Sequence, residues 1–257
     1  MSEALTYAFA DHDADVCGVA RLGRADAGES GLVILFRGGD VAAVHADGEG
    51  HAGIAAEDAG DGRWRVRWDG ELPFYLEFEA LGGPLVLPGD SEVGRAGGME
   101  GADRVCRVTG TIGGASFEGR GQRGESSGDP DWERMSAART LTAWFEDGWA
   151  ISGVAIRPAD GDTHADELAA VFVAEEEPEL VADARLSTTY DAEERQRSAG
   201  LELWVREEDE YPIRLAGELA CGTSLDLGRL RLDCAFFRWR TNGREGVGRY
   251  DVLRRVS

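Results

Sequence analysis

The residue types best suited to chemistry lie in one run, Gly119-Arg120-Gly121-Gln122-Arg123-Gly124-Glu125-Ser126-Ser127-Gly128-Asp129-Pro130-Asp131-Trp132. A carboxyl held among glycine backbone and tryptophans is drawn out of water, which favours its protonated form and suits it to proton transfer. Glu125 is the leading candidate for that role, with Asp131 as a second carboxyl. Arg123 is spaced to orient one of them or to steady developing negative charge. The aromatic company is Trp132, Trp144, Trp149, Trp204 and Trp239. Tryptophan faces can steady a cationic intermediate. A structural reading stands beside this one: Arg123 bridges Asp131 at a domain seam, Glu125 is exposed, and the tryptophans are core.

Other motifs carry less. Gly119–Gly124 and Gly48–Gly53 each fit G-x-G-x-x-G, but 36 glycines make such matches common. A dinucleotide fingerprint must follow a strand and open a helix. The first match runs into Glu-Ser-Ser-Gly-Asp-Pro and the second lies among loop residues, so neither qualifies. Asp11, Asp13 and Asp15 alternate like calcium ligands, yet Val16 and Leu22 stand where an EF-hand loop needs Gly and Glu. That segment reads as a solvated turn. The histidines, at 12, 45, 51 and 164, lack metal-ligand spacing, and no G-x-S-x-G elbow is present.

The elements that must position the run are strands. Trp64, Val66 and Trp68 alternate with Arg63, Arg65 and Arg67, the period-two signature of a half-buried strand. A turn at Asp69-Gly70-Glu71 would set Trp64 against Leu76 and Val66 against Phe74. A second hairpin, turning at Asp226-Leu227-Gly228-Arg229, would set Cys221 against Cys234 and Leu219 against Phe236. Further strands are expected over Gly31–Phe36, Val41–His45, Val105–Ile112, Ala115–Arg120, Leu141–Phe145, Trp149–Ile156, Leu168–Val173, Arg185–Tyr190, Leu201–Val205 and Gly246–Leu253. Gly-containing turns separate them, among them Thr241-Asn242-Gly243. Glu133–Trp144 has helix-forming residues but no 3.6-residue stripe, and reads as mostly strand. An all-β barrel or sandwich architecture with little helix follows. Asp129-Pro130-Asp131 is a natural break, because Pro withholds a ladder donor and keeps its predecessor extended. It divides the chain into residues 1–128 and 129–257, with no sequence repeat between them.

Charge bounds the partners. Forty-nine acidic residues against 27 basic ones, all arginine, leave a net charge of −22. Such a field repels phosphate backbones and anionic headgroups, so neither nucleic acid nor a membrane surface is an expected partner. Acidic stretches such as Glu175–Glu179 and Glu207–Glu210 read as solvated turns. Met1–Thr6 lacks the basic and apolar regions of a secretory signal, and no apolar run reaches the roughly 20 residues of a membrane helix. The expectation is a cytoplasmic protein, in which Cys221 and Cys234 pack as reduced thiols.

With these residues in view, the pattern Gly119-x-Gly121-x-Arg123-x-Glu125-Ser126-Ser127-Gly128-x-x-Asp131-Trp132, followed by Trp144 and Asp147-Gly148, resembles a two-domain lipocalin-like superfamily. That group includes carotenoid 1,2-hydratase (hydroxyneurosporene synthase), AttH-like proteins and, more distantly, lipocalin-like Diels–Alderases. Gly243–Gly248 is similar to its closing strand. The resemblance implies two lipocalin-like antiparallel halves, an apolar ligand pocket, and no metal or organic cofactor. It also implies a polyene or terpenoid-like small molecule that is hydrated, cyclised or isomerised by acid–base chemistry. The alternative is a non-catalytic carrier of such a ligand. Ser127, Trp132, Trp144, Trp149 and Trp239 then become its ligand-binding residues. The sequence departs from the motif at Glu125, where His is usual, and at Ser127, where Trp is usual.

Overall fold

The structure is a computed structural model describing residues 2–26, 28–48, 50–51, 53–161, 167–174 and 178–256. His164 and the acidic residues 175–177 lie outside the described residues. The chain forms two compact units, Met1–Val86 with Glu100–Asp129, and Leu87–Met99 with Pro130–Ser257.

The first unit is built from β1 (Ser2–Ala10), β2 (Val16–Ala25), β3 (Gly28–Arg37), β4 (Asp40–Asp47), β5 (Ile54–Gly60), β6 (Arg63–Trp68), β7 (Phe74–Ala80), β8 (Leu85–Leu87), β9 (Met99–Ile112) and β10 (Ala115–Gly128). Their order across the sheet is β4-β3-β2-β1-β10-β9-β7-β6-β5, with β8 beside β9. The second unit holds the short helix α1 (Glu92–Gly97) and β11 (Met135–Phe145), β12 (Ala150–Pro158), β13 (Leu168–Ala174), β14 (Pro178–Leu180), β15 (Asp183–Tyr190), β16 (Gln196–Trp204), β17 (Ile213–Asp226), β18 (Leu230–Thr241) and β19 (Arg244–Arg255). Its order is β14-β13-β12-β11-β19-β18-β17-β16-β15. With β8 set aside, the two orders coincide strand for strand. In each sheet the first and last strands pair at the centre and hairpins run outward on both sides. A repeat invisible as residue identity is therefore present as topology.

Each antiparallel sheet curls around an apolar interior. In the first unit Tyr7, Phe9, Leu35, Trp64, Val66, Trp68, Leu76, Phe78 and Val108 form one buried cluster. In the second, Leu141, Ala143, Phe145, Trp149, Leu201, Leu203, Phe237, Trp239, Tyr250 and Val252 do the same. The segment between β14 and β15 draws that curl together: Val181 N–H donates to Val171 O and Ala182 N–H to Trp204 O, both at 2.9 Å. Helix α1, capped by the Ser91 hydroxyl, covers a smaller cluster of Val93, Met135, Ile156 and Ala170. No helix among the described residues is long and apolar enough to cross a membrane.

Both hairpin registers expected from the sequence are offset by two residues. Trp64 faces Phe78, Val66 faces Leu76 and Trp68 faces Phe74, because the turn takes five residues, Asp69 to Pro73. In the β17–β18 hairpin Cys221 faces Phe236 and Thr223 faces Cys234. There the turn contracts to Gly228-Arg229, with Leu227 N–H donating to Leu230 O at 2.8 Å. A bulge between Leu219 and Cys221 then sets Leu219 opposite Phe237. Next to each turn the even offset leaves the side chains on their intended faces, whereas beyond the bulge the pairing is off by one and Leu219 is 40% exposed. None of the four cysteines forms a disulfide, and all are buried.

Glu133–Trp144 is strand from Met135 onward, as expected. The strand anticipated over Ala115–Arg120 continues through the glycine-rich run to Gly128. Close approach of β1 demands those glycines. A Cβ on Gly119 would lie 2.1 Å from the Ala10 carbonyl oxygen, and one on Gly121 2.3 Å from that of Ala8.

Candidate functional site

Strand β10 carries Arg123 and Glu125 on the face that it shares with Tyr7 and Leu5 of β1, their register partners. Arg123 Nη1 donates to Glu125 Oε2 at 2.6 Å, and its guanidinium lies 4.9 Å from the Trp64 ring centre. It also hydrogen-bonds Tyr7. Arg104, from β9, approaches the same indole at 6.0 Å. The Arg123 side chain is 12% exposed and that of Glu125 51%. An arginine is thus laid along an aromatic wall, with its carboxylate partner at the rim. The planar guanidinium suits this position, because it stacks and donates at once.

Electrostatics sort the groups into roles. Burial raises the Tyr7 phenol, with the Arg123 contact opposing it. Burial likewise pushes the Cys106 thiol to about 12. Both therefore keep their protons at neutral pH. Glu125 is the water-facing member of the pair, held by Arg123. Its enclosure among tryptophans, expected from the sequence, does not occur. The carboxylate is half exposed, Trp64 is the indole beneath its arginine, and Arg123 pairs with Glu125 rather than with Asp131. Ser127 Oγ, further along β10, donates to Glu100 Oε1 at 3.1 Å.

The remaining candidates belong to the second unit. Asp131 is exposed and caps its own turn, Oδ1 accepting from Glu133 N at 3.0 Å. With Trp132 it lines an open cleft of about 830 Å3, together with Leu227, Arg229, Leu230 and Arg255. Arg255 Nη1 fixes that wall by donating to the Trp132 carbonyl at 3.1 Å. Trp132 rests its other side against the cluster beneath α1. Trp149 and Trp239 are core residues. Trp149 packs 4.9 Å from Phe145, and Trp239 lies nearly parallel to Phe237 at 5.7 Å. Trp144, next to the core residue Phe145, points to the opposite face of β11, where it is buried with its indole N–H unbonded. All three are buried.

A buried polar group escaped the sequence reading. Arg139 donates to the Tyr250 hydroxyl at 3.2 Å, and that hydroxyl meets Thr188 Oγ1 at 2.7 Å. Arg139 and Arg157 converge on Glu167, at 3.2 and 2.7 Å, and the Glu167 side chain is only 6% exposed. Burial lifts Tyr250 to about 12. The signal was present: Arg139 falls on the parity of Leu141, Ala143 and Phe145, an arginine on a core stripe. Each unit thus places one arginine–tyrosine pair on its two central strands. Tyrosine is on the first and arginine on the last in one unit, and the reverse holds in the other. Among the described residues, no three His, Cys, Asp or Glu side chains gather as a metal-binding group.

Solved structures share this fold. CghA, crystallised with Sch210972, superposes with a TM-score of 0.71 at 11% identity, over 98% of this chain and 88% of that one. An AttH protein (NE1406) from Nitrosomonas europaea gives 0.68 at 12% identity, covering 99% and 92%. Kievitone hydratase from Nectria haematococca gives 0.67 at 8% identity, covering 98% and 88%. These likenesses bear out the two lipocalin-like halves and the resemblance to AttH-like proteins. No curated protein matches the sequence. Residues 1–256 match one family model, and on that extent the chain belongs to the family described as Domain of unknown function (DUF7064).

Proposed function

We propose that the protein binds an apolar small molecule of polyene or terpenoid type and hydrates, cyclises or isomerises it by acid–base chemistry. The single observation that carries this reading is the ion pair of Glu125 and Arg123, seated on Trp64 and Tyr7 at the rim of an aromatic interior. Glu125 takes a proton from the substrate, or from a water that adds to it. Arg123 holds the carboxylate and faces the negative charge that develops. The proton then returns to another substrate atom, with Tyr7 as a neutral donor beside it. Trp64 holds the Arg123 guanidinium in place beneath the carboxylate. Asp131 and Trp132 line their own cleft in the second unit and take no part in this step, and Trp144, Trp149 and Trp239 are assigned to the core.

Two fold neighbours support a ligand-binding, catalytic use of the fold: one was crystallised with Sch210972, and another is a hydratase. The four cysteines, none in a disulfide, support a reducing, cytoplasmic setting. Retinol, farnesol and lycopene are suitable first probes, with mass spectrometry reading gain of water or isomeric product. Glu125→Gln should lower turnover by about 100-fold or more while retinol binding, followed by its fluorescence, persists. Undiminished turnover in that variant removes Glu125 from the chemistry. Binding without turnover in the wild-type protein makes it a carrier.

A further inference from the structure

A second site stands on the outward face of the second unit. Strands β15, β16 and β17 there bring three small residues into one rung, Ser187 opposite Gly200 and Gly200 opposite Ala216. With so little side chain above the backbone, the rung forms the floor of an open cleft of about 730 Å3. That volume is within the usual range of small-molecule sites, about 300–1,000 Å3. The rung continues into β18 at Arg240, and its neighbour runs Arg185, Glu202, Arg214. The β18–β19 turn borders the cleft and brings Arg244. Asn242 and Gly243 both adopt positive φ, +44° and +80°, the conformation of a tight, rigid hairpin.

Arginine is concentrated in this cleft. Four arginines line it with two glutamates, Glu202 and Glu245, in a chain of net charge −22, while Asp183 and Asp147 pair with Arg185 at 3.6 Å and with Arg244 at 2.6 Å. Arg214 pairs with Glu202 at 2.9 Å and Arg240 with Glu245 at 3.3 Å, but these arginine side chains are 73% and 64% exposed. Ion pairs so exposed to water contribute little, so an incoming anion can replace the glutamate at slight cost. Arg185 stacks 4.7 Å from the Trp204 ring, an arrangement that holds its guanidinium flat.

We propose that this cleft binds an amphiphilic organic anion. A carboxylate or sulfonate is held between Arg214 and Arg240, and the apolar body lies across the Ser187–Gly200–Ala216 floor. The site is independent of Glu125. Anilinonaphthalene sulfonate tests it, because its fluorescence reports binding and N-phenylnaphthylamine supplies nearly the same rings without charge. The wild-type protein should bind the sulfonate, and Arg214→Gln/Arg240→Gln should weaken it about tenfold, a loss of about 1.4 kcal/mol. The uncharged probe should not distinguish the two proteins. Ala216→Leu, which keeps every arginine but fills the floor, should weaken the sulfonate similarly. All three positions are exposed, so circular dichroism should show an unchanged fold. The proposal is overturned if the wild-type protein does not bind the sulfonate, or if affinity survives either the arginine pair or Ala216→Leu.

Discussion

At the scale of single residues, burial decides what each ionisable group can do. Tyr7, Cys106 and Tyr250 all sit where water cannot reach, so their charged forms are disfavoured. Each has a folded-state pKa above its unfolded one. The stability they contribute is therefore complete below the unfolded values and is lost as pH rises through the folded ones. For Cys106 that window runs from its ordinary 9.0 to about 12, and for Tyr250 from 10.0 to about 12. Urea midpoints should stay level from neutrality to pH 9 and fall progressively toward pH 12. A midpoint that rises across that window would contradict the burial of these groups. Glu125 stood out in the sequence through its place in the motif. Its exposure was not legible, because nothing within 119–132 reveals that Arg123 turns toward Trp64 and leaves the carboxylate at the rim.

At the scale of elements, the alternation of apolar residues located most strands but not their partners. Both hairpins show the reason. Next to the turns their faces were right and their registers two residues off, since turn length alone distinguishes registers that bury the same stripe. Strands β1 and β2 went unrecognised because alanines fill the alternate positions of β1, so Ala4-Leu5-Thr6-Tyr7-Ala8-Phe9-Ala10 reads as a run rather than a stripe. Central strands covered on both faces lose their period in this way. The glycine-rich run became a strand for a related reason: its glycines admit the β1 carbonyls. Gly119→Ala should cost about 1–3 kcal/mol through that overpacking, measured by urea denaturation. A cost near zero would mean that β1 and β10 can separate without penalty.

At the scale of the molecule, two sheets of unlike sequence follow one strand order, each closing its first strand onto its last. Around them lies a surface of net charge −22 built without lysine. Self-repulsion on that scale opposes compaction and is screened by salt. Raising NaCl from about 0.01 to 0.5 M should stabilise the protein by about 1–2 kcal/mol, a rise of a few degrees in Tm. A melting temperature independent of salt would show that the acidic residues are already locally compensated. What the amino-acid sequence determined by itself is the class: paired strands with little helix, an acidic surface and reduced thiols. These depend on period, composition and short turns, all of which are local. Only the tertiary structure decided that Arg123 leans on Trp64 and Tyr7, that Trp149 and Trp239 are core, and that arginines gather over Gly200. Those contacts join strands far apart in the chain, and their register follows from closing the whole sheet.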